Sequence, residues 1–463
     1  MSLFIVGLDN TIVNVALPSI QHDLQTDLSD LQWVIDAYLV VLASLLMLSG
    51  STGDRLGRKR TFQTGLVLFV IGSALCSLAP TLGWLIAARA IQGIGGSMLN
   101  PVAMAIITNT FTDARERARA IGVWGGVVGV SMALGPVLGG GLVEWVGWRS
   151  IFWINIPVGL VACVLCARFV PESRAEHPRR IDPIGQVLVA GTLGLLTFGI
   201  IEAPRHGWTS AQTLACLGGA AVALVLLVAY ELRRRQPLID PRFFRSAPFA
   251  GAAVIAICGF SALSGFLFLN TFYLQHSRGF SPLQAGLATL PMAAMSAVCA
   301  PLSGRLLGRS GPRLPLLIAG AGLLASTLMM TRLSMTTSHW TLYATYLVFG
   351  IGFGFLNAPI TNTAVSGMPR SEAGVAAAIA STSRQIGQSL GVAVIGSLVV
   401  TSAGAAAAAD FPQASHVGWW VTVGCACMVL LLGVVTTSRA AHRTAETSAE
   451  RILARRAQQG ASA

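Results

Sequence analysis

The sequence predicts an all-α polytopic membrane protein with fourteen transmembrane helices. Three observations carry this expectation. First, 54% of the 463 residues are hydrophobic and 11% are charged, with a mean hydropathy of +0.68; a soluble domain carries about 25% charged residues. Second, apolar runs of roughly 20 residues, enough to cross a ~30 Å hydrocarbon core as helix, occur fourteen times. Third, the basic residues gather in every second connection between those runs. A closed β-barrel would also satisfy its backbone in lipid, but it is built from ~10-residue alternating segments. These runs are instead continuous and rich in Ala, Leu and Gly. The 50 glycines and 20 prolines are of a kind that membrane helices tolerate.

The runs fall near residues 2–20, 31–52, 62–80, 83–110, 119–143, 149–170, 184–203, 212–231, 249–274, 283–304, 314–333, 339–365, 375–401 and 417–438. Met1 lies almost inside the first, so the natural start is expected upstream. The first run is no signal peptide: it lacks a basic leading segment and a small-residue cleavage site, and Asp9 interrupts it. With the N-terminus cytoplasmic, 25 of the 31 basic residues fall in inner segments, within 55–60, 115–119, 168–180, 233–245, 305–313, 370 and the tail 439–456. The outer connections hold Arg149, Arg205, Arg278 and Arg332. That asymmetry places both termini in the cytoplasm. It also explains the net charge of +12 without nucleic acid, which would need one continuous basic patch. The triplet Arg233, Arg234 and Arg235 is a loop anchor or a contact for anionic lipid.

The chain repeats itself. Gly93-Ile-Gly95-Gly-Ser-Met-Leu99-Asn100-Pro101 is echoed by Gly350-Ile-Gly352-Phe-Gly-Phe-Leu356-Asn357-Ala-Pro359. Gly50-x-x-x-x-Arg55-x-Gly57 is echoed at a similar offset by Gly304-x-x-x-x-Arg309-x-Gly311. The expected organisation is a six-helix bundle in 1–170, a linker with two extra helices in 171–248, a second six-helix bundle in 249–438 and a polar cytoplasmic tail in 439–463. The tail forms a short surface helix or stays disordered, and 403–410 is a low-complexity outer loop. Parallel repeats about an axis normal to the membrane are a transporter architecture, with the site between them.

The eight cysteines sit in apolar stretches, and Cys163-x-x-Cys166 has no second pair or nearby His to complete a metal site. The seven histidines lie in or beside loops without ligand spacing. No metal and no cofactor is expected.

The connection after the second run reads Gly50-Ser-Thr-Gly53-Asp54-Arg55-Leu-Gly57-Arg58-Lys59-Arg60. Its glycines allow a tight reversal. Asp54 is the lone acid among four cations and can cap a helix or pair with arginine. The string resembles the signature between helices 2 and 3 of the major facilitator superfamily, departing from it at Thr52. The second copy has Gly308 where Asp54 stands. The resemblance implies that Asp54 and its arginines latch the two bundles together at the cytoplasmic side.

Arg89-Ala-Ile-Gln92-Gly93 opens the fourth run. A cation within hydrocarbon costs at least ~2.5–3.5 kcal/mol, so Arg89 either snorkels outward or has a partner. Asp36 enters the second run at a matching depth, which makes it one candidate partner for Arg89, although depth does not fix which way either side chain faces. The string is similar to the family's proton-relay motif. In the fifth run, Gly125, Gly129, Gly135, Gly139 and Gly140 form a small-residue stripe suited to close packing, and Pro136 kinks the helix. This stripe resembles the antiporter signature of drug exporters, with Ser131 in place of a glycine.

Leu8-Asp9-Asn10-Thr11-Ile12-Val13-Asn14 puts an acid near mid-bilayer. Such a group is expensive when ionised. It can carry a proton from one side to the other, attract a cationic substrate, or serve as a hydrogen-bonded structural acid. The string resembles the first-helix motif of the fourteen-helix drug:proton antiporter family. Gly147-Trp148-Arg149-Ser-Ile-Phe152-Trp-Ile-Asn155-Ile-Pro157-x-Gly159 resembles that family's segment entering helix 6.

Asp9, Asp36, Arg89, Asn14 and Gln92 are thus the candidates for proton coupling or substrate binding, and Asn100, Asn357, Asn362 and Arg384 for the cavity wall. Glu144 and Glu202, near outer helix ends, are expected to be solvated. The resemblance implies a proton-coupled exporter of hydrophobic or cationic small molecules in the plasma membrane, acting as a monomer with the proton as its only coupling ion. Proton-coupled uptake of a metabolite is the alternative. No nucleophile–base pair or selectivity-filter repeat supports a membrane enzyme or channel.

Overall fold

The computed structural model describes residues 2–111, 113–175, 181–234, 237–369, 372–403 and 411–461. The linker arginines Arg179, Arg180, Arg235 and Arg370 and most of the low-complexity loop lie outside them. Among the described residues, twelve helices are long and apolar enough to cross a membrane. The expected count of fourteen includes two others. One is α1 (Ser2–Leu24), with Asp9, Asn10 and Asn14 in its middle; the other is α5 (Ala114–Trp145), of which Val130–Trp145 forms a shorter apolar helix among the described residues.

The first part of the chain adds α2 (Leu28–Leu56), α3 (Arg58–Ser77), α4 (Leu82–Thr110), α6 (Ser150–Trp153) and α7 (Asn155–Phe169). Then come α8 (Pro183–His206) and α9 (Ala211–Arg233), which pair with each other. The last part holds α10 (Ala247–Phe272), α11 (Pro282–Ala288), α12 (Leu290–Ser310), α13 (Arg313–Met330), α14 (His339–Gly354), α15 (Asn357–Ser366), α16 (Ala373–Ala403) and α17 (Phe411–Val435). Three expected single helices are broken: α6 from α7, α11 from α12 and α14 from α15. Each break sits just ahead of a proline, Pro157, Pro291 or Pro359. A proline ring clashes with the carbonyl four residues earlier and supplies no N–H to it.

The packing repeats. In the first part α1 lies on α5, α2 on α4 and α3 on α7; in the last part α10 lies on α16, α12 on α14 and α13 on α17. The repeated Gly-Ile-Gly strings occupy equivalent places. A Cβ on Gly93 would meet the Tyr38 carbonyl of α2 at 2.8 Å, and one on Gly350 the Met292 carbonyl of α12 at 2.3 Å. On the next face, Gly95 packs against the α3 backbone and Gly352 against the α13 backbone. The two sets meet through α5 on α11 and α12, and through α2 on α16, while α8 leans on both α2 and α16.

The tail is helical: α18 (Arg439–Ala461) runs along the start of α10, where the Ala247 N–H donates to Thr444 Oγ1 at 2.9 Å. The connections that carry most of the arginines are referred to below as the basic end.

Candidate functional site

Between the two sets lies a cavity of about 1190 Å3. Its middle is walled by Asn10 and Asn14 of α1, Tyr38 of α2, Arg89 of α4, Phe260 of α10 and Arg384 of α16. It continues to the basic end, where Asp54, Arg58, Arg242 and Arg451 line it.

The far end is sealed. A Cβ on Gly140 would stand 2.4 Å from the Pro282 carbonyl, and one on Gly286 would stand 2.1 Å from the Pro136 carbonyl, so α5 and α11 touch backbone to backbone. Glu144 Oε2 accepts from Ser281 Oγ at 2.5 Å and from the Leu283 N–H at 3.0 Å. Glu144 thus ties the two sets together while remaining exposed, as its place near a helix end leads one to expect. Gln275 Nε2 donates to the Val15 carbonyl at 2.9 Å, and Ser397 Oγ to Gln32 Oε1 at 3.3 Å. The glycine stripe divides its contacts. Gly140 faces the second set, whereas Gly135 faces Thr11 and Gly139 faces Ile12, both on α1. Gly125 and Gly129 lie in the first half of α5, where the packing is outside what the structure describes.

Behind the wall of the first set is a buried polar network. Arg89 Nη1 donates to Asp9 Oδ2 at 2.6 Å and to Gln92 Oε1 at 2.7 Å, and its Nε donates to the Val34 carbonyl at 2.9 Å. Gln92 Nε2 donates to Asp9 Oδ1 and Ser73 Oγ, both at 2.8 Å, and Asn155 Nδ2 reaches Asp9 Oδ1 at 3.2 Å. The Arg89 guanidinium carbon sits 4.4 Å from the Tyr38 ring centroid. Asp9, Arg89 and Gln92 are at most 1% exposed. Asp9 thus has hydrogen bonds on both oxygens and Arg89 on Nε and Nη1, the kind of compensation that a buried ion pair requires.

The candidate Asp36–Arg89 interaction is not made. Depth matched but direction did not: α2 offers Arg89 its Val34 carbonyl and turns Asp36 towards Ser389 of α16. Neither Asp36 oxygen makes a hydrogen bond, although the side chain is fully buried. Asp9 and Asp36 do not reach the cavity surface, whereas Asn14, Asn100, Asn357 and Arg384 do. Asn362 is exposed on another face of α15 and does not line the cavity. Sequence reasoning gave no role to Ser73 or Tyr38, which nothing in the string marks. Asn155 stood inside a quoted motif, and that was the available signal.

At the basic end, Asp54 holds Arg58 at 2.9 Å within the first set. Gly57, at φ 116°, is in the backbone region that favours glycine. A Cβ there would meet the Glu172 carboxylate at 2.6 Å. Glu172 accepts the N–H groups of Lys59 at 3.0 Å and Arg60 at 3.3 Å, an anion at the positive N-terminus of α3. Lys59 Nζ donates to the Ala167 carbonyl at 2.8 Å, and Arg55 is exposed. Gly53 packs on Val102 and Gly50 on Pro101 of α4. In this conformation the motif clasps the segment after α7, and among the described residues it makes no hydrogen bond or ion pair to the second set.

The architecture and the motifs have counterparts in known proteins. Residues 1–392 match the family model described as Major Facilitator Superfamily. The chain is 39% identical over 400 residues to the multidrug resistance protein Stp of Mycobacterium tuberculosis, covering 86% of this chain and 74% of that one. It is 37% identical over 406 residues to the tetracenomycin C resistance and export protein of Streptomyces glaucescens, covering 87% and 75%. Solved structures with the same fold include an auto-inhibited POT family peptide transporter, with TM-score 0.69 and 14% identity over 95% of this chain and 97% of that one. A bacterial homologue of the lysosomal transporter Spinster, in an inward-facing and unoccupied conformation, aligns with TM-score 0.64 and 18% identity over 97% and 96%. With the family model matching most of its length, the chain belongs to the Major Facilitator Superfamily and is a multi-pass membrane transporter of small molecules.

Proposed function

We propose that the chain is a proton-coupled exporter of drug-like, largely apolar small molecules, working by alternating access. The observation that carries this reading is the cavity itself, open at the basic end and sealed at the far end by α5 on α11. That is one half of the rocking cycle of two repeats around a fixed site. The curated relatives bear names of resistance and export, which supports outward transport here. The basic end is the cytoplasmic side by the positive-inside rule, so cargo enters from the cytoplasm. α1 and α5 complete fourteen spans. The units are the set in 1–170, the set in 249–438, the pair inserted in 171–248 and a cytoplasmic tail in 439–463. The protein sits in the plasma membrane with both termini inside, and one chain is the working unit.

Asp9 is the group that carries the proton in this reading. Protonating it removes the counter-charge of Arg89, whose guanidinium also faces the cavity. A change of charge behind the wall is thereby felt in front of it. Asp36, buried where α2 meets α16, would respond in the same way to the contact between the sets. Gln92 and Asn155 keep Asp9 hydrogen-bonded.

The test is drug accumulation in cells expressing the full chain, with and without a protonophore. Collapse of the gradient, or Asp9→Asn, should raise accumulation to the level of cells lacking the protein. Asp9→Ala should in addition destabilise the fold by about 3–5 kcal/mol, because it strands a buried guanidinium. Export unaffected by the protonophore would overturn the coupling.

A further inference from the structure

We propose that the cavity takes cargo bearing an acidic oxygen group, a carboxylate, phenolate or sulfonate, and that Arg384 of α16 is the residue that holds it. This deepens the reading above and rests on it in taking the cavity as the translocation site.

The charges on the wall carry the argument. A cationic cargo would need an acid in the middle of the cavity. The two acids at that depth are withdrawn from it: Asp9 is saturated by Arg89, Gln92 and Asn155, and Asp36 is buried against α16. The acids that do line the cavity, Asp54, Asp240 and Glu372, belong to the connections of the basic end. Asp54 lies 2.9 Å from Arg58, and Asp240 lies 3.9 Å from Arg242.

Arg384 is placed differently. It is half-buried, faces the cavity and donates only to neutral hydroxyls, those of Ser381 at 3.2 Å and Thr361. Among the described residues no carboxylate pairs with it, and its Nε makes no hydrogen bond. Its guanidinium carbon stands 6.0 Å from the Phe260 ring centroid. The carbonyl oxygens of Gln385 and Gln388 beside it also lack partners. A cation kept from bulk water without a counter-ion is costly. A planar guanidinium fork matches two oxygens of an oxyanion and stacks beside aromatic rings. An organic anion with an apolar body would supply the missing charge at Arg384 and lay its rings against Phe260, Leu263 and Leu267 of α10.

The experiment uses the purified full chain in lipid nanodiscs, with empty nanodiscs as the blank. Two dyes built on one xanthene core are the probes: fluorescein, anionic at neutral pH, and rhodamine 6G, cationic. Fluorescein should bind saturably and more tightly than rhodamine 6G. Arg384→Gln should weaken fluorescein at least about tenfold without weakening rhodamine 6G, and Arg384→Lys, which keeps the charge but loses the fork, should fall between. Raising the salt concentration should weaken fluorescein on the wild-type chain and not rhodamine 6G, a readout that survives even if a variant misfolds. Tighter rhodamine 6G binding, absence of saturable fluorescein binding, or equal fluorescein affinity in Arg384→Gln would overturn the proposal.

Transport of the same dyes in proteoliposomes separates this idea from the exporter reading. Fluorescein bound through Arg384 but not moved by a proton gradient would sink the exporter and leave the anion site. Gradient-driven movement of rhodamine 6G in preference to fluorescein would sink the anion site and leave the exporter.

Discussion

The two ends of the cavity are closed and opened by different chemistry. At the far end α5 and α11 meet through the missing side chains of Gly140 and Gly286, with one carboxylate, Glu144, tying the junction. At the basic end the walls are long charged side chains, and Asp54, Arg58 and Glu172 find partners within their own set. A backbone-to-backbone contact depends on fit to a few tenths of an ångström, because close-packed interiors do not deform continuously. Exposed ion pairs are worth about 0–1 kcal/mol and re-form elsewhere at little cost. The far end thus holds a fixed contact and the basic end an adjustable one. That arrangement suits a molecule whose basic end is open while its far end is shut.

The contrast can be broken most severely at Gly140. In Gly140→Leu the new side chain meets Pro282 and Leu283 backbone atoms that cannot rotate away. Overpacking of this kind costs about 1–3 kcal/mol or more, and export should fall to background. Hydrogen exchange across residues 281–288 should quicken at the same time, and unchanged exchange there would mean that the seal does not rest on this contact. Gly135→Leu should cost less transport, because its nearest obstacle is the Thr11 side chain and not backbone, and because it disturbs α1 against α5 within one set. A larger loss in Gly135→Leu than in Gly140→Leu would reverse our ranking of the two.

Next comes Glu144→Ala, which removes two hydrogen bonds from the seal. Because Glu144 is exposed, these hydrogen bonds contribute about 0.5–1.5 kcal/mol. The same amides should therefore exchange roughly twofold to tenfold faster, while the melting temperature of the rest moves little. The smallest effect on stability belongs to Asp54→Asn. Its pair with Arg58 is partly exposed, so thermal stability should shift by under about 1 kcal/mol. On the latch role that the resemblance implies for Asp54, transport should fall further than stability does. Equal small losses in both would reduce Asp54 to a local helix contact.

Much of this fold was legible as hydrophobic run length, and the repeat was legible as two glycine strings that turn out to face equivalent neighbours. The breaks ahead of Pro157, Pro291 and Pro359 were also written in the chain, though run length alone hides them. Direction was not legible. Residues on a helix at one depth can point anywhere around its axis, so Asp36 shares a level with Arg89 yet faces Ser389. Asn362 was read as cavity wall and is exposed on another face, for the same reason. Glu144 is exposed, as its place near a helix end implies, but its partners come from α11 in the other half of the chain, which a local pattern does not reveal. Such assignments depend on contacts between distant parts of the sequence, which no local pattern encodes.

Arg89 is a partition one side chain thick, with cargo space on one side and a carboxylate on the other. On the proposed mechanism, hydrogen ions and freight travel separate tracks that touch at a single guanidinium. The shape of the freight compartment can then drift, residue by residue, towards new molecules while the electrical machinery behind it stays untouched.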